Sequence, residues 1–295
     1  MGPPIDADLV RRLVAAQHPR WRHLPVRPVP VQGHDNRSYR LGEELIVRLP
    51  TEQGYVPAVA KEQRWLPRLA PRLPCPVPLP VAAGEPGEGY PFPWSVLRWV
   101  PGETALVRLP ADTGPLARDL AGFVLALQAC PAEDGPLAGA HSFARGQHPS
   151  VYDAEVRRSL PRLRGLPGAE DLDVDALARV WDGALATRWD GPPRWFHGDL
   201  AAGNVLVGAD DRLAGVVDLG TCGVGDPACD LTVAWTVLDR PGREVFRGLV
   251  GADEGTWERG RAWVLWKAAL VAAEEPGSRA VALELLRLVL VLDER

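Results

Sequence analysis

Two short apolar runs, Val205–Val207 and Leu213–Val217, flank the turn-forming stretch Gly208–Arg212. That pattern predicts a β-hairpin, and a hairpin brings its two outer ends together. Asn204 stands just before the first strand and Asp218 just after the second, so antiparallel pairing places both at one open end. Asp199 lies five residues before Asn204, on the loop that enters the same end. Two carboxylates and a carboxamide are thereby expected to converge, with Gly198, Gly203 and Gly220 permitting close backbone approach.

Oxygen donors of this kind suit a hard cation that keeps water and phosphate ligands, which points to magnesium. Zinc is disfavoured, because no cluster of Cys or His has ligand spacing. A third carboxylate beside such an ion can accept a proton from a hydroxyl group. A metal on phosphates, a proton acceptor and fixed positioning are the parts that phosphoryl transfer requires.

The rest of the chain divides in two. Residues 7–16, ADLVRRLVAA, put Leu9, Val10, Leu13 and Val14 on one helical face, with Asp6 or Asp8 as cap. Short β signals follow at 26–32, 37–41 and 45–49, separated by turns at Gly33–Asn36 and Gly42–Glu44. Residues 58–70 read as a helix disturbed by Pro67, and PRLPCPVPLP as an extended connector. A further β signal, Trp94–Val100, ends at Pro101-Gly102. Beyond it lie an amphipathic helix over 115–129, with Pro115 in its first turn, and an acidic, irregular stretch over 131–175. A helix at about 173–188 precedes the hairpin region, and 232–292 is mainly helical. The plan is α+β: a β-rich lobe over 1–100 and a mainly helical lobe over 101–295.

HGDLAAGN, with VVDLG 14 residues past its Asn and GDPACDL beyond, resembles the aminoglycoside phosphotransferase family, kinases of antibiotics and small metabolites with a protein-kinase-like two-lobe fold. The NRSYRL…VRLP, EQRWLPRLAP and WSVLRWVPGE segments resemble the front lobe of that family, so the likeness runs along nearly the whole chain. It implies that Asp199 is the catalytic carboxylate, that Asn204 and Asp218 are magnesium ligands, and that Asp230 braces the catalytic loop. Arg98, Trp99 and Val100 take the place of the hinge whose backbone holds adenine. Glu62 matches the helix glutamate that pairs with a strand cation, and Arg48 stands where the family has a phosphate-gripping Lys. The phosphate turn is GHDNRS, where Asn36 and Ser38 offer donors in place of a glycine-rich loop.

Arg and Lys are not equivalent at a point-charge site. Two readings follow: Arg48 replaces Lys in an active enzyme, or phosphate binding has decayed and the chain is a non-catalytic nucleotide-binding pseudokinase. The chain has only two lysines, Lys61 and Lys267, against 31 arginines, so Arg is its default cation and the active reading is preferred. The expected reaction is transfer of the γ-phosphate of ATP or GTP to a hydroxyl of an aminoglycoside or similar antibiotic. The alternative acceptors are a sugar, an amino alcohol or a macrolide. Protein kinase activity is disfavoured, because GDPACDL follows Asp218 almost at once and leaves no activation segment.

A cationic acceptor needs carboxylates facing it. Glu133, Asp134, Asp153, Glu155, Glu170, Asp171, Asp173, Asp175, Glu258, Glu274 and Glu275 are the candidates, and most read as solvated surface charges. His197, Asp226, Cys222 and Cys229 read as structural, although Asp226 also suits the mouth of the site, and one or two of the tryptophans as lining for the acceptor. A net charge of −5 without a basic block disfavours nucleic acid. No apolar run is long enough to span a membrane. The four cysteines lack metal spacing and suit a reducing, cytoplasmic setting. The N-terminus does not read as a secretion signal, and a myristoylation reading of Met1-Gly2 is weak, because Asp6 stands where Ser or Thr is wanted.

Overall fold

The computed structural model describes residues 4–291. Met1 and Gly2, the weak lipidation signal, lie outside the described residues. The chain forms two compact units: Met1–Pro101 with Ala214–Gly220, and Gly102–Leu213 with Thr221–Arg295.

Alternation of side chains builds the first unit. In β3 (Leu45–Pro50), Leu45, Val47 and Leu49 are buried in one core, while Arg48 projects from the other face. β1 (Val26–Pro28) and β2 (Asn36–Leu41) lie on one side of β3, and β5 (Trp94–Arg98) and β4 (Pro80–Gly84) on the other, in the antiparallel order β1-β2-β3-β5-β4. Helix α1 (Ala7–Gln17) contributes Leu9, Val10, Leu13 and Val14 to the same core, and Asp6 caps it by accepting from the Leu9 N–H. Each such fully buried side chain contributes about 1.5–3 kcal/mol. Helix α2 (Val56–Leu69) carries Glu62 to the face that Arg48 occupies.

Several local expectations need correction. The strand expected over 26–32 ends at Pro28. Helix α2 continues through Pro67 into its last turn, forgoing the hydrogen bond that an N–H there would make to the carbonyl of residue 63. The connector leads, at its last residue Pro80, into an edge strand, β4, unforeseen because it opens on Pro and contains Ala and Gly. Pro is tolerated at a strand start on an edge. Gly84 is required there: a Cβ at this position would lie 1.9 Å from the buried Trp94 ring.

The second unit is mainly helical. β6 (Glu103–Thr104) pairs with β8 (Val205–Val207), and β7 (Arg194–Phe196) with β10 (Gly223–Gly225). β9 (Leu213–Val216) crosses from the second unit into the first. Helix α3 (Gly114–Gln128) buries Leu116, Leu120, Phe123, Val124 and Leu127, the spacing of one helical face. The stretch expected to be irregular over 131–175 contains α4 (Asp153–Leu163), and α5 (Val174–Leu185) follows. After the short α6 (Val233–Thr236), α7 (Arg240–Val250) packs on α3. Helix α8 (Glu254–Glu274) is buried on most of its circumference because α4, α5 and α9 (Arg279–Leu290) all pack against it. The four cysteines are buried thiols. Among the described residues no helix is long and apolar enough to cross a membrane.

Candidate functional site

In the first unit the strand period aims Arg48 at two carboxylates. Its Nη1 donates to Glu62 Oε1 at 2.8 Å and its Nη2 to Asp218 Oδ1 at 2.6 Å. Arg48 is 8% exposed and Glu62 4%, whereas the Asp218 side chain is 37% exposed. Burial opposes the charge on Arg48, but the Asp218 and Glu62 carboxylates outweigh it and hold the guanidinium well above its ordinary value. Burial pushes the Glu62 carboxyl up, with Arg48 pulling it down and Asp218 adding to the rise. Within this trio one cation faces two acids, which leaves surplus negative charge on the side of the more exposed Asp218, while Lys61 adds a smaller pull on Glu62. Asp218 adopts a left-handed backbone (φ 62°), an uncommon conformation that aspartate tolerates better than most residues.

Ser38 is the cross-strand partner of Arg48, and Asn36 of Pro50, so the period of two puts Asn36, Ser38 and Arg48 on one face. The Ser38 N–H is already taken by Gln32 Oε1 at 2.9 Å, and Gln32 Nε2 donates back to the Ser38 carbonyl at 2.9 Å. Gln32 therefore braces the turn, a role sequence reasoning missed. Of the three hinge positions, Arg98 donates its N–H to the Leu79 carbonyl and Trp99 to the Glu44 carbonyl, both at 2.8 Å. The Val100 N–H has no partner among the described residues. The Arg98 side chain pairs with Glu44 at 3.0 Å, and Arg40 lies 4.1 Å from the Trp99 ring centroid.

In the second unit, the Asp230 carboxylate accepts from the N–H groups of His197 and Gly198, both at 2.7 Å. Burial raises the Asp230 carboxyl, against the pull of His197 and the two N–H groups. Thr221 Oγ1 donates to the His197 carbonyl at 2.8 Å, and the Asp199 N–H donates to His197 Nδ1 at 3.1 Å. These bonds fix the backbone on both sides of Gly198, whose φ of +87° favours glycine. A Cβ on Gly198 would meet Thr221 at 3.1 Å and Arg145 Cβ at 3.3 Å. Asn204 Nδ2 donates to the Asp199 carbonyl at 2.8 Å and to Asp199 Oδ2 at 2.9 Å. The amide nitrogen is thus spent on Asp199, which leaves the Asn204 carbonyl oxygen as an acceptor for other partners. Gly208 N–H bonds to the Arg212 carbonyl at 2.9 Å and closes the turn after β8.

The structure therefore brings Asp199 to Asn204 and, separately, Arg48 to Glu62 and Asp218. Asp226 is not at a site mouth: it is buried against Arg259 Nε at 2.7 Å and caps Ala228. A cavity of about 170 Å³ opens beside Asp199, lined by Trp263, Trp266, Lys267, Val281 and Leu285 of the last two helices and by Arg145. Trp263 and Trp266, expected to pack core, are buried and also line this cavity. Arg145 was missed; it lies in a loop that carries no motif. Asn204 and Asp218 supply oxygen donors, the ligand chemistry that magnesium takes. Among the described residues no three His, Cys, Asp or Glu side chains are grouped so as to hold a metal ion by themselves.

Residues 26–263 match the model of the Phosphotransferase enzyme family (APH). Among solved structures, the GDP complex of an aminoglycoside 2'-phosphotransferase-IIIa is similar at 19% identity, with 97% of this chain and 98% of that chain covered and a TM-score of 0.71. A GDP and kanamycin complex of an APH(2")-IIIa enzyme shares 18% identity over 95% of this chain and 97% of that chain, at a TM-score of 0.71. The macrolide 2'-phosphotransferase MphH from Brachybacterium faecium shares 26% identity over 99% of this chain and 100% of that one, at a TM-score of 0.61. No curated protein gives a significant match. The family match covers most of the sequence, so the chain belongs to the aminoglycoside phosphotransferase family, enzymes that transfer phosphate to hydroxyl groups.

Proposed function

We propose that the protein transfers the γ-phosphate of ATP or GTP to a hydroxyl of a small molecule, with Asp199 as the catalytic carboxylate. The observation that carries this reading is the tether from Asn204 Nδ2 to Asp199, which holds an exposed carboxylate at the edge of a cavity. Asp199 orients the acceptor hydroxyl and takes its proton late in the transfer, while the bond to Asn204 keeps the carboxylate from rotating away. Asn204 and Asp218, assigned by their place in the motif, are the magnesium ligands. Held there, magnesium would supply neutralisation of the charge on the transferring phosphate. Arg48, Asn36 and Ser38 share one face of the sheet and are assigned to the phosphates. The unpartnered Val100 N–H suits the edge of a purine. The GDP- and ADP-bound state of similar enzymes supports a nucleoside triphosphate as co-substrate.

Turnover of ATP and GTP with magnesium, against a panel of aminoglycosides, macrolides, sugars and amino alcohols, tests this reading. Acceptor-dependent turnover that Asp199→Ala loses is the expected result. A second reading, nucleotide binding without catalysis, is favoured by the double engagement of Arg48 with Glu62 and Asp218. It requires tight magnesium-dependent nucleotide binding with no transfer to any acceptor, and no gain on Arg48→Lys.

A further inference from the structure

The cavity beside Asp199 has a charge pattern that bears on the acceptor. Its lining holds one carboxylate, Asp199, and two cations, Arg145 and Lys267; the remaining wall is largely apolar. Arg145 is half-buried, and neither it nor Lys267 makes an ion pair among the described residues. Its position is set from two sides. Its Cβ sits against Gly198, next to Asp199, and its guanidinium lies 4.8 Å from the Trp266 ring centroid. Trp266 is itself fixed, stacked on Tyr152 at 3.9 Å and bonded through Nε1 to Glu155 at 2.9 Å.

Four of the carboxylates that could serve a polycationic acceptor are engaged elsewhere. Glu155 holds Trp266, Glu274 pairs with Arg162 at 3.2 Å, Glu258 lies 3.5 Å from Arg261, and Asp153 pairs with Arg157 at 3.0 Å. None of them lines the cavity. A polyamine entering here would meet two like charges, a mismatch that costs affinity, whereas an anion would find two unpaired cations on an apolar wall. We infer that the acceptor is an anionic hydroxy compound with an apolar body, its acid on Arg145 and Lys267 and its hydroxyl toward Asp199. This inference rests on the kinase reading above for the role of the hydroxyl, but the selectivity it asserts is a property of binding.

Calorimetric titration of the intact protein with ω-hydroxyoctanoate, its primary amide, the amino alcohol of the same length, and kanamycin separates the possibilities. The acid should bind at least about tenfold more tightly than the amide, and the two amines most weakly. Arg145→Gln combined with Lys267→Gln should bring the acid to the level of the amide. Lys267→Gln alone, at an exposed position, should remove about threefold and guards against misfolding of the double variant. Tightest binding of kanamycin or the amino alcohol, a preference for the acid that survives the double substitution, or no binding by any of the four would overturn the inference. Phosphotransfer is read separately. A protein that prefers the acid yet transfers no phosphate would retire the kinase reading and leave this one. A protein that phosphorylates kanamycin efficiently would do the reverse.

Discussion

The two units treat charge in opposite ways. In the first, a buried arginine is met by two carboxylates, and the cluster is left short of positive charge. In the second, one carboxylate shares a cavity with two cations, and the lining is left short of negative charge. The first arrangement suits a metal ion or a donor held together with one; the second suits an anion. The difference teaches that the acidic composition of the chain is a poor guide to either region, because many of its carboxylates, Asp119, Asp171 and Glu254 among them, are spent on surface arginines.

The largest expected effect comes from the one acid in the cavity lining of the second unit. Asp199→Ala should lower phosphotransfer about 10²–10⁴-fold with nucleotide affinity nearly unchanged, measured as initial rate and as nucleotide titration. Undiminished turnover in the folded variant would break the contrast at its centre. Next is the cation of the first unit. Arg48→Ala leaves Glu62 buried without its counter-charge and should destabilise by about 3–5 kcal/mol in denaturant unfolding, while Arg48→Lys should recover part of the loss. An unchanged midpoint would show that the trio is not a charge-balanced unit. Asp230→Ala strips the His197 and Gly198 N–H groups of their acceptor and should cost about 1–3 kcal/mol, with turnover falling as the Asp199 loop loosens.

The smallest effect concerns pH. Burial raises the folded-state value of Glu62 above its ordinary 4.5. The unfolded chain therefore releases this proton first, and the folded chain binds more protons between the two values. The contribution of Glu62 to stability is full below 4.5 and is lost as pH rises through the raised folded value. Glu62→Gln should flatten that part of the melting-temperature profile. A wild-type slope of the opposite sign would mean that the pull of Arg48 outweighs burial.

Much of this was legible from local pattern. The helix over 7–16 and its Asp6 cap, the turn at Gly208–Arg212 and the motif around Asp199 each announce themselves within a few residues. What escaped depends on partners far along the chain or on propensities that tertiary contacts override. β4 is a strand because β5 offers it an edge, not because Pro80–Gly84 favours extension. Helix α4 shows Val156, Leu160 and Leu163 at helical spacing, a signal masked by the surrounding charges and Pro161. The Gln32 brace and the position of Arg145 leave no mark in the sequence, since each is defined only by what lies beside it in space.

The first unit is discontinuous in the chain, and this bears on how the protein is made. Residues 1–101 leave the ribosome before Ala214–Gly220, which belong with them but follow only after the whole of 102–213 has been synthesised. At about 5–20 residues per second, that interval lasts several seconds or more. Throughout it, Arg48 has Glu62 but not Asp218, so the nascent front sheet holds a one-to-one ion pair without the surplus negative charge of the finished trio. Completion of the early-made half therefore waits on the late-made one, and a ribosome that stalls before residue 214 releases a fragment lacking the aspartate that finishes its own charge cluster.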